Sequence, residues 1–245
     1  MSIRPPDRTL RPLAIVLCGT TVPNLLPRRG DFADWFRTGL GDPSAPAFDA
    51  QTGGQLPDPA GLRGAVLTGS PSMLTEAAPW MAELVAWTAA AVRAELPLLG
   101  VCFGHQVLAQ AVGGQVGFHP RGREIGSVPV RLEQAATEDP LFESLPQRFY
   151  VQESHSQAVL RLPPGAVHLI RGDHDAHQAF RIGRNAYGTQ FHPEFDAEIV
   201  RGYIEARAAD LRAEGLDPTG LAGATRDDSA GAALLKRFEG LTRTD

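Results

Sequence analysis

An apolar run meets a helical pattern at a cysteine in the stretch Leu96-Pro-Leu-Leu-Gly-Val-Cys102-Phe-Gly-His-Gln106-Val-Leu-Ala-Gln110. Residues 98–101 are continuously apolar, which is typical of a strand buried on both faces of a parallel sheet. After Cys102, the apolar residues Val107, Leu108 and Ala111 recur at the spacing of a helix. The stretch therefore predicts a buried strand, a tight turn at Cys102 and a helix.

A cysteine in this position is suited to act as a nucleophile. Its side chain would project from the turn above the first N–H groups of the helix, where the positive end of the helix dipole favours the thiolate. Gly100 and Gly104 suit such a turn, because it needs unusual dihedral angles and a close approach of the backbone. A cysteine at the end of a strand is also a common buried structural residue, so this stretch alone leaves both interpretations open.

The segments around this stretch predict an α/β fold. A strand at residues 65–68 and a helix at 79–95 lead into the strand at 98–101, and this succession favours βαβ units with a parallel central sheet. Strands are also predicted at 13–17 and, weakly, at 47–50. After Gly113-Gly114, five short strands are predicted, in a pattern typical of antiparallel pairs appended to the parallel core, at 127–132, 149–152, 167–171, 178–182 and 186–191.

Two further helices are predicted between residues 13 and 214. The first begins at residues 31–36, after a loop at 19–29, and should bury Phe32, Trp35 and Phe36. The second covers residues 196–214, with Gly215 placed to end it. The helix at 79–95 should bury Leu84, Val85 and either Trp87 or Val92.

A second segment, Tyr187-Gly-Thr-Gln-Phe-His192-Pro-Glu194-Phe, supplies a histidine and a glutamate. Together with Gly100-Val-Cys102-Phe-Gly-His-Gln106, it resembles the class I, or triad-type, glutamine amidotransferases, whose motifs read G-x-C-x-G-x-Q and G-x-Q-F-H-P-E. The resemblance covers about residues 13–200 and is closest to free-standing proteins that look like the glutaminase domain of GMP synthase. It implies a flavodoxin-like fold and a catalytic triad of Cys102, His192 and Glu194.

The same resemblance implies an oxyanion hole and a substrate site. The family's G-G-P loop corresponds to Gly69-Ser70-Pro71, and the backbone N–H groups of Ser70 and Phe103 would bind the oxyanion. Serine replaces a glycine here, so Ser70 must adopt the dihedral angles that glycine allowed. The residues implied in binding glutamine are Gly69, Gln106, Ser154, His155 and Ser156. The resemblance implies no metal and no cofactor.

Other polar residues have simpler interpretations. His155 is equally a polar loop residue, and Cys18 is a small core residue at the end of a strand. His105 is the rival base, but a regular helix would direct it away from Cys102, which favours a supporting role. The remaining histidines lack a motif and are predicted to be exposed or structural.

The resemblance and the composition together divide the chain into three parts. Residues 1–11, rich in Arg and Pro, are predicted to form a flexible N-terminus. Residues 12–214 form the glutamine amidotransferase domain, and 215–245 form a C-terminal extension with a short helix starting at Asp228. In that helix Leu234, Leu235 and Phe238 form a stripe, which favours packing on the domain over contact with a partner.

Composition narrows the classes of partner. The 245 residues are 43% hydrophobic and 21% charged, as in ordinary globular proteins, and the net charge of −5 provides no basic stripe for nucleic acid. The apolar runs are too short to span a bilayer, and the N-terminus lacks the pattern of a signal peptide. Cys18 and Cys102 end different predicted strands and form no disulfide framework. We therefore predict a cytoplasmic protein that binds neither nucleic acid nor membrane.

Three functions are compatible with these residues. The first is hydrolysis of the side-chain amide of glutamine through a cysteinyl thioester, with ammonia passed to a separate synthetase, because the C-terminal segment has no Walker-type phosphate loop. The second is hydrolysis of other γ-glutamyl amides by the same triad. The third is a non-catalytic regulatory module, which the complete triad disfavours.

Overall fold

The computed structural model of the chain describes residues 8–53 and 55–243. Its strands are β1 (Leu13–Leu17), β2 (Ala47–Asp49), β3 (Gly64–Leu67), β4 (Leu98–Val101), β5 (Gln115–Phe118), β6 (Glu124–Leu132), β7 (Arg148–His155), β8 (Gln157–Arg161), β9 (Val167–Gly172), β10 (Ala179–Ile182) and β11 (Ala186–Thr189). Its α-helices are α1 (Leu26–Arg29), α2 (Phe32–Leu40), α3 (Pro79–Arg93), α4 (Phe103–Ala111), α5 (Ala197–Ala206), α6 (Ala208–Ala213), α7 (Pro218–Ala224) and α8 (Ala230–Leu241).

Nine of these strands form one sheet in the order β2-β1-β3-β4-β11-β10-β9-β6-β7. The first five strands in this order run parallel to one another. The other four continue the sheet through antiparallel pairs, and β5 and β8 form a separate antiparallel ribbon. The predicted α/β class, with a parallel core and appended antiparallel strands, is confirmed.

The continuous apolar runs of the parallel strands are explained by the two cores of the molecule. In β1, Leu13 and Ile15 pack into the core on one side of the sheet, and Ala14 and Val16 pack into the core on the other. Successive side chains of a strand point to opposite faces, so a strand covered on both faces needs apolar residues at every position.

The register of β4 and β11 determines where the functional segments meet. Thr189, the last residue of β11, pairs with Val101, the last residue of β4, and the two strands are parallel. Their carboxyl ends therefore lie at the same edge of the sheet, which is where open α/β sheets bind ligands. Cys102 and the segment that follows Thr189 emerge side by side at this edge.

The predicted apolar face of α2 is confirmed, because Phe32, Trp35 and Phe36 are all buried. The Asp31 carboxylate caps the helix by accepting hydrogen bonds from the N–H groups of Phe32 at 2.8 Å and Thr21 at 2.9 Å. The cap also ties the loop after β1 to the start of α2. It thereby fixes the position of Phe32, which faces the site described below.

The prediction of one helix over residues 196–214 is wrong. The chain forms α5 and α6, interrupted at Arg207, whose φ of −105° and ψ of 10° depart from the helical values. Sequence periodicity does not reveal this break, because Arg207 is a good helix former and its backbone angles are set by its tertiary surroundings. Gly215, with φ of 81°, follows α6 as expected for a helix end.

Several short elements were missed by the sequence analysis. They are α1 inside the predicted loop 19–29, the ribbon of β5 and β8, and α7 inside residues 216–227. Helix α7 did carry a start signal, since Asp217 caps it and Pro218 occupies its first turn. In α3 the buried residues are Leu84, as predicted, and Met81, Thr88 and Ala91 instead of Val85, Trp87 or Val92; the larger side chains stay half-buried.

The extension at 215–245 docks on the sheet where the structure describes it. The predicted stripe of Leu234, Leu235 and Phe238 in α8 is fully buried, and α8 packs against α2. Of the predicted N-terminus 1–11, residues 1–7 lie outside the described residues, and Arg8–Leu10 form one 3₁₀ turn. In the described ranges no helix is long and apolar enough to cross a membrane.

Two glycines make the turn at Cys102 sterically possible. A Cβ atom on Gly100 would lie 2.4 Å from the carbonyl oxygen of Gly104, and one on Gly104 would lie 2.5 Å from the carbonyl oxygen of Leu67. Strand β4 and helix α4 therefore approach each other, and α4 approaches β3, more closely than side chains allow. The glycines on either side of the cysteine are required by this contact.

We expect Gly104→Ala to lower the free energy of unfolding by about 2–3 kcal/mol, because the added methyl group must displace the backbone of β3. Gly223→Ala is the matched control, since Gly223 lies in α7 with nothing within 4 Å of an added Cβ atom. The control should be neutral or stabilising by up to about 1 kcal/mol. Urea unfolding of both variants checks this, and equal effects would show that the close approach of α4 and β3 is not a constraint.

Candidate active site

Cys102 occupies the predicted turn between β4 and α4. Its φ of 52° and ψ of −99° place a non-glycine residue in a strained region, at a cost of about 1–3 kcal/mol. The turn is held from both sides: the Cys102 N–H donates to the carbonyl oxygen of Thr189 at 2.8 Å, and its own carbonyl accepts from the N–H of Gln106 at 3.1 Å. The side chain projects at the carboxyl edge of the sheet, with Sγ 4.0 Å from the carbonyl oxygen of Ser154.

His192 and Glu194 lie in the turn that follows β11. The Nδ1 atom of His192 is 2.7 Å from Oε1 of Glu194, and the Glu194 side chain is fully buried. The His192 N–H donates to the carbonyl oxygen of Gln152 at 2.9 Å, which fixes the backbone beneath the ring. Pro193 lies between the two residues. The chain is not extended there, and the turn brings the side chains of His192 and Glu194 together.

The electrostatics of His192 follow from its neighbours. Burial disfavours the charged ring, but the Glu194 carboxylate and Cys102, which also hydrogen-bond to the ring, outweigh burial and raise the pKa of His192 to about 10. The ring is therefore protonated at neutral pH.

Aromatic rings hold the His192 imidazole in place. Phe195 stacks on it with a centroid separation of 3.9 Å and an interplanar angle of 11°. Phe32, from the start of α2, is nearly parallel to the imidazole at 6.3 Å. The sequence analysis assigned no role to Phe195, although it is the residue directly after Glu194. Stacking limits rotation of the ring and leaves its hydrogen bonds to define its direction.

The loop after β3 lies against His192. A Cβ atom on Gly69 would be only 2.8 Å from Cε1 of the imidazole, so the site requires glycine there. Ser70 does not adopt a positive φ, and its hydroxyl accepts a hydrogen bond from the N–H of Ser72 at 3.1 Å. The serine that replaces the family's glycine is therefore accommodated without backbone strain. Phe103 is the first residue of α4, where the N–H has no partner within the helix.

Gln106 connects helix α4 to Gln157, the residue that follows Ser154, His155 and Ser156. Its side-chain amide donates to the carbonyl oxygen of Gln157 at 2.8 Å and to Oε1 of Gln190 at 3.3 Å. The predicted substrate residues Gln106 and Ser154-His155-Ser156 are thus brought together on one side of Cys102.

A buried group of acids supports this segment, and sequence spacing gave no sign of it. Donor atoms of Glu124, Glu153 and His155 lie within 4.8 Å of one another, which makes this trio a potential metal site by composition. The His155 ring already bonds the carbonyl oxygen of Gln157 at 3.0 Å and Oε2 of Glu124 at 3.2 Å. Burial, and then the charge of Glu124, raise the pKa of Glu153 well above its usual range. A fully buried Glu153 beside a bonded His155 fits a structural support for residues 154–156.

The remaining cysteine and the rival base are structural. Burial raises the pKa of the Cys18 thiol to about 12, as expected of a core residue. The His105 ring packs on Phe180 at a centroid distance of 4.8 Å, and burial lowers its pKa to about 3. Both side chains lie outside the cavities that Cys102 lines.

Two cavities meet at Cys102. The larger has a volume of about 320 Å³ and extends past His192 to Phe32, Thr21 and Tyr203. The narrower one runs along Gln106 and residues 154–157. Residues that line both cavities are Ser70, Pro71, Cys102, Ser154 and Arg207. Arg207 was not predicted as a site residue, because a single arginine within a segment predicted to be one amphipathic helix carries no sequence signal.

Comparisons with known proteins agree with this geometry. The chain is 36% identical over 146 residues to "GMP synthase [glutamine-hydrolyzing]" of Thermosipho melanesiensis, covering 57% of this chain and 26% of the relative. It is 36% identical over 117 residues to one subunit of the "GMP synthase [glutamine-hydrolyzing]" of Archaeoglobus fulgidus, covering 45% of this chain and 62% of the relative. The matches thus span from about a quarter to about three fifths of the length of these relatives.

Solved structures share the fold over nearly the whole chain. A glutamine amidotransferase from Thermotoga maritima superposes with a TM-score of 0.73 at 24% identity, covering 95% of this chain and 99% of that one. A glutamine amidotransferase from Methylobacillus flagellatus gives a TM-score of 0.72 at 26% identity, covering 95% and 93%. The family model described as "Glutamine amidotransferase class-I" matches residues 54–204, more than half of the chain. The chain therefore belongs to the class I glutamine amidotransferase family.

Proposed function

We propose that this protein hydrolyses the side-chain amide of glutamine, with Cys102 as nucleophile, His192 as acid and base, and Glu194 as the residue that orients the imidazole. The observation that carries the proposal is the buried hydrogen bond of 2.7 Å between His192 and Glu194, next to a cysteine on a strained turn. This is the geometry of a nucleophile with a base that is itself oriented by a third group.

In this proposal each step of the reaction is assigned to one group. The Cys102 thiolate attacks the amide carbon, and the N–H groups of Ser70 and Phe103 bind the oxyanion that forms. His192, protonated at neutral pH, gives its proton to the departing ammonia and leaves a γ-glutamyl thioester. His192 then takes a proton from water, which attacks the thioester and releases glutamate and the thiolate.

The residues proposed to hold the amino-acid end of glutamine lie around the narrower cavity, next to Cys102. Gly69 keeps the loop close to His192, while Gln106 and Ser154-His155-Ser156 line the cavity beyond Cys102. The buried trio that contains His155 keeps this segment in place. The site uses no metal and no cofactor in this proposal.

The ammonia acceptor is proposed to lie on a separate synthetase. The Archaeoglobus relative is named as one subunit of its enzyme, and such a name implies that another polypeptide completes that protein. By analogy, ammonia released at Cys102 would pass to a partner of this chain. A non-catalytic regulatory role is disfavoured, because such a module has no need of a strained cysteine and a buried, oriented imidazole.

The direct test is turnover of glutamine by the purified chain. We expect equal amounts of glutamate and ammonia by mass spectrometry, and a covalent adduct on Cys102 whose added mass equals glutamine less ammonia. If Cys102 is alkylated readily but glutamine is not hydrolysed, with or without a synthetase, the proposed function is wrong.

The C-terminal extension contacts the backbone of the catalytic turn, and this contact gives a second prediction. A Cβ atom on Gly231 in α8 would lie 2.5 Å from the carbonyl oxygen of Pro193. Gly231→Ala should therefore displace the turn between His192 and Glu194 and lower kcat by about 10-fold or more, since small misplacements of catalytic groups are costly.

Gly240→Ala is the matched control for this effect. Gly240 lies in the same helix with nothing within 4 Å of an added Cβ atom, so its kcat should match that of the wild type. Steady-state kinetics of both variants, with thermal unfolding to verify the fold, compare the two. Equal kcat values for the two variants would mean that α8 does not position the turn.

A further inference from the structure

Three polar side chains of β6 and β7 meet on one face of the sheet. Glu124 of β6 pairs directly with His155 of β7, and Glu153 lies two residues before His155 on the same strand. Opposite residues of paired strands, and every second residue along one strand, project from the same face. The backbone of two paired strands therefore directs two carboxylates and an imidazole to one point, which is a rigid arrangement for a set of ligands.

This group is buried, and its charges do not balance. The side chains of Glu124, Glu153 and His155 are at most 8% exposed. Among the ion pairs of the described residues, His155 is the only cationic partner of either carboxylate, and neither oxygen of Glu153 accepts a hydrogen bond there. Two buried carboxylates against one imidazole leave an excess of negative charge, which is costly in a buried place. A divalent cation would remove this excess.

A proton on the imidazole does not satisfy both carboxylates. Nδ1 of His155 lies 3.0 Å from the carbonyl oxygen of Gln157, which can only accept, so Nδ1 donates its proton there. Nε2 can carry one proton, yet it faces Oε2 of Glu124 at 3.2 Å and Oε2 of Glu153 at 3.4 Å. Both distances exceed the length of about 2.7–2.9 Å that a charge-assisted hydrogen bond has. One hydrogen bond from Nε2 therefore leaves the Glu153 carboxylate unmatched.

The same distances fit the edges of a zinc site. With bonds of about 2.0–2.1 Å from the ion to nitrogen and oxygen, two ligand atoms of a tetrahedral Zn²⁺ lie about 3.3 Å apart. Nε2 of His155 lies 3.2 and 3.4 Å from the two carboxylate oxygens, and one donor atom from each of the three residues lies within 4.8 Å of the others.

The outer contacts of the trio are also those of a metal site. Histidines that bind a metal through one ring nitrogen donate the other N–H to a carbonyl or carboxylate, and the ligating carboxylates accept hydrogen bonds. Here Nδ1 of His155 contacts the carbonyl oxygen of Gln157, and the side-chain amide of Gln178 donates to Oε2 of Glu124 at 3.1 Å. Both contacts orient the donor atoms towards the common point.

We propose that Glu124, Glu153 and His155 bind one Zn²⁺ ion, which holds the end of β7 and thereby the segment 154–156 beside Cys102. Glu124 and Glu153 line neither of the two cavities at Cys102, so the ion is structural. The inference does not depend on the proposed function of Cys102, because an ion at this trio takes no part in the reaction.

The test is zinc binding by the full chain that carries Cys102→Ala. This parent lacks the thiolate, which beside His192 is itself a zinc ligand. After removal of metals with a chelator, calorimetric titration with ZnCl₂ should give one ion per chain with a Kd of about 1 µM or lower. Elemental analysis after dialysis should give the same ratio. Zinc at 100 times its Kd should raise the midpoint of thermal unfolding by about 5–10 °C.

Glu153→Gln, made in this parent, keeps the size of the side chain but removes a charged ligand, so the zinc affinity should fall by about 100-fold or more. Without zinc it should unfold at the temperature of the parent or higher, since a buried charge is removed. Glu124→Gln should lose zinc in the same way and replaces the first variant if that one does not fold. Glu83→Gln is the matched control, because Glu83 is exposed on α3 and lies outside the trio; it should bind zinc as the parent does.

The inference is overturned if the parent binds no zinc. It is also overturned if Glu153→Gln and Glu124→Gln bind zinc with the affinity of the parent, because the ion would then be held by other residues.

Discussion

Cys102→Ala will lower turnover of glutamine by about 10⁴-fold or more, because the reaction then lacks the group that forms the thioester. Alanine keeps the Cβ atom and the strained backbone of the turn, so the fold should remain. The measurement is steady-state release of glutamate and ammonia. Turnover within 10-fold of the wild type would exclude a Cys102 thioester from the mechanism.

A glycine at the same position separates stability from activity. Glycine adopts the positive φ of 52° without steric cost, so Cys102→Gly should raise the free energy of unfolding by about 1 kcal/mol while turnover is lost. Urea unfolding and kinetics on one preparation measure both effects. A decrease in stability would mean that the cysteine's turn is not strained.

Cys18→Ala is the control for both experiments. Cys18 is buried at the end of β1, and its thiol has a pKa of about 12, so it contributes packing and not a thiolate. Its removal should leave turnover within about two-fold of the wild type. Alkylation by a small electrophile should label Cys102 and not Cys18.

Glu194→Gln will lower kcat by about 10²-fold or more, because the amide keeps the size of the side chain but not the charge that orients and stabilises the imidazolium. Glu198→Gln is the matched control: Glu198 lies four residues further on, is more than half exposed and pairs with Arg29. Its kcat should equal that of the wild type. Similar kcat values for Glu194→Gln and the wild type would remove Glu194 from the triad.

The pH dependence of stability tests the same pair with a defined sign. The folded pKa of His192, about 10, lies above the ordinary value of 6.5, so the folded protein holds a proton that the unfolded chain releases between these values. The stability from this group is fully present below about pH 6.5 and is lost as the pH rises through about 10. In Glu194→Gln the pKa falls towards its ordinary value, and the loss of stability over this range should shrink. A pH dependence equal to that of the wild type would contradict the assigned cause.

The turn at Cys102 was more predictable from the sequence than the residues that surround it. The turn at Cys102 was predictable because its glycines are required by backbone contacts of 2.4–2.5 Å, which no other residue allows. The fold class was predictable because strands covered on both faces must be apolar at every position. The stacked Phe195, the trio around His155 and the break at Arg207 were not predictable, since each depends on partners distant in the chain.

The sequence by itself determined the parallel core, the strained cysteine and the histidine and glutamate that follow a second strand, because these depend on local sterics and on a specific combination of residues. Only the tertiary structure decided that β4 and β11 are neighbours, and so that Cys102 meets His192. It also decided that Cys102 and His192 line one cavity together with Phe32, Thr21 and Tyr203. The shape of a cavity and the partner of a charge depend on segments brought together by folding, which no periodicity within one segment records.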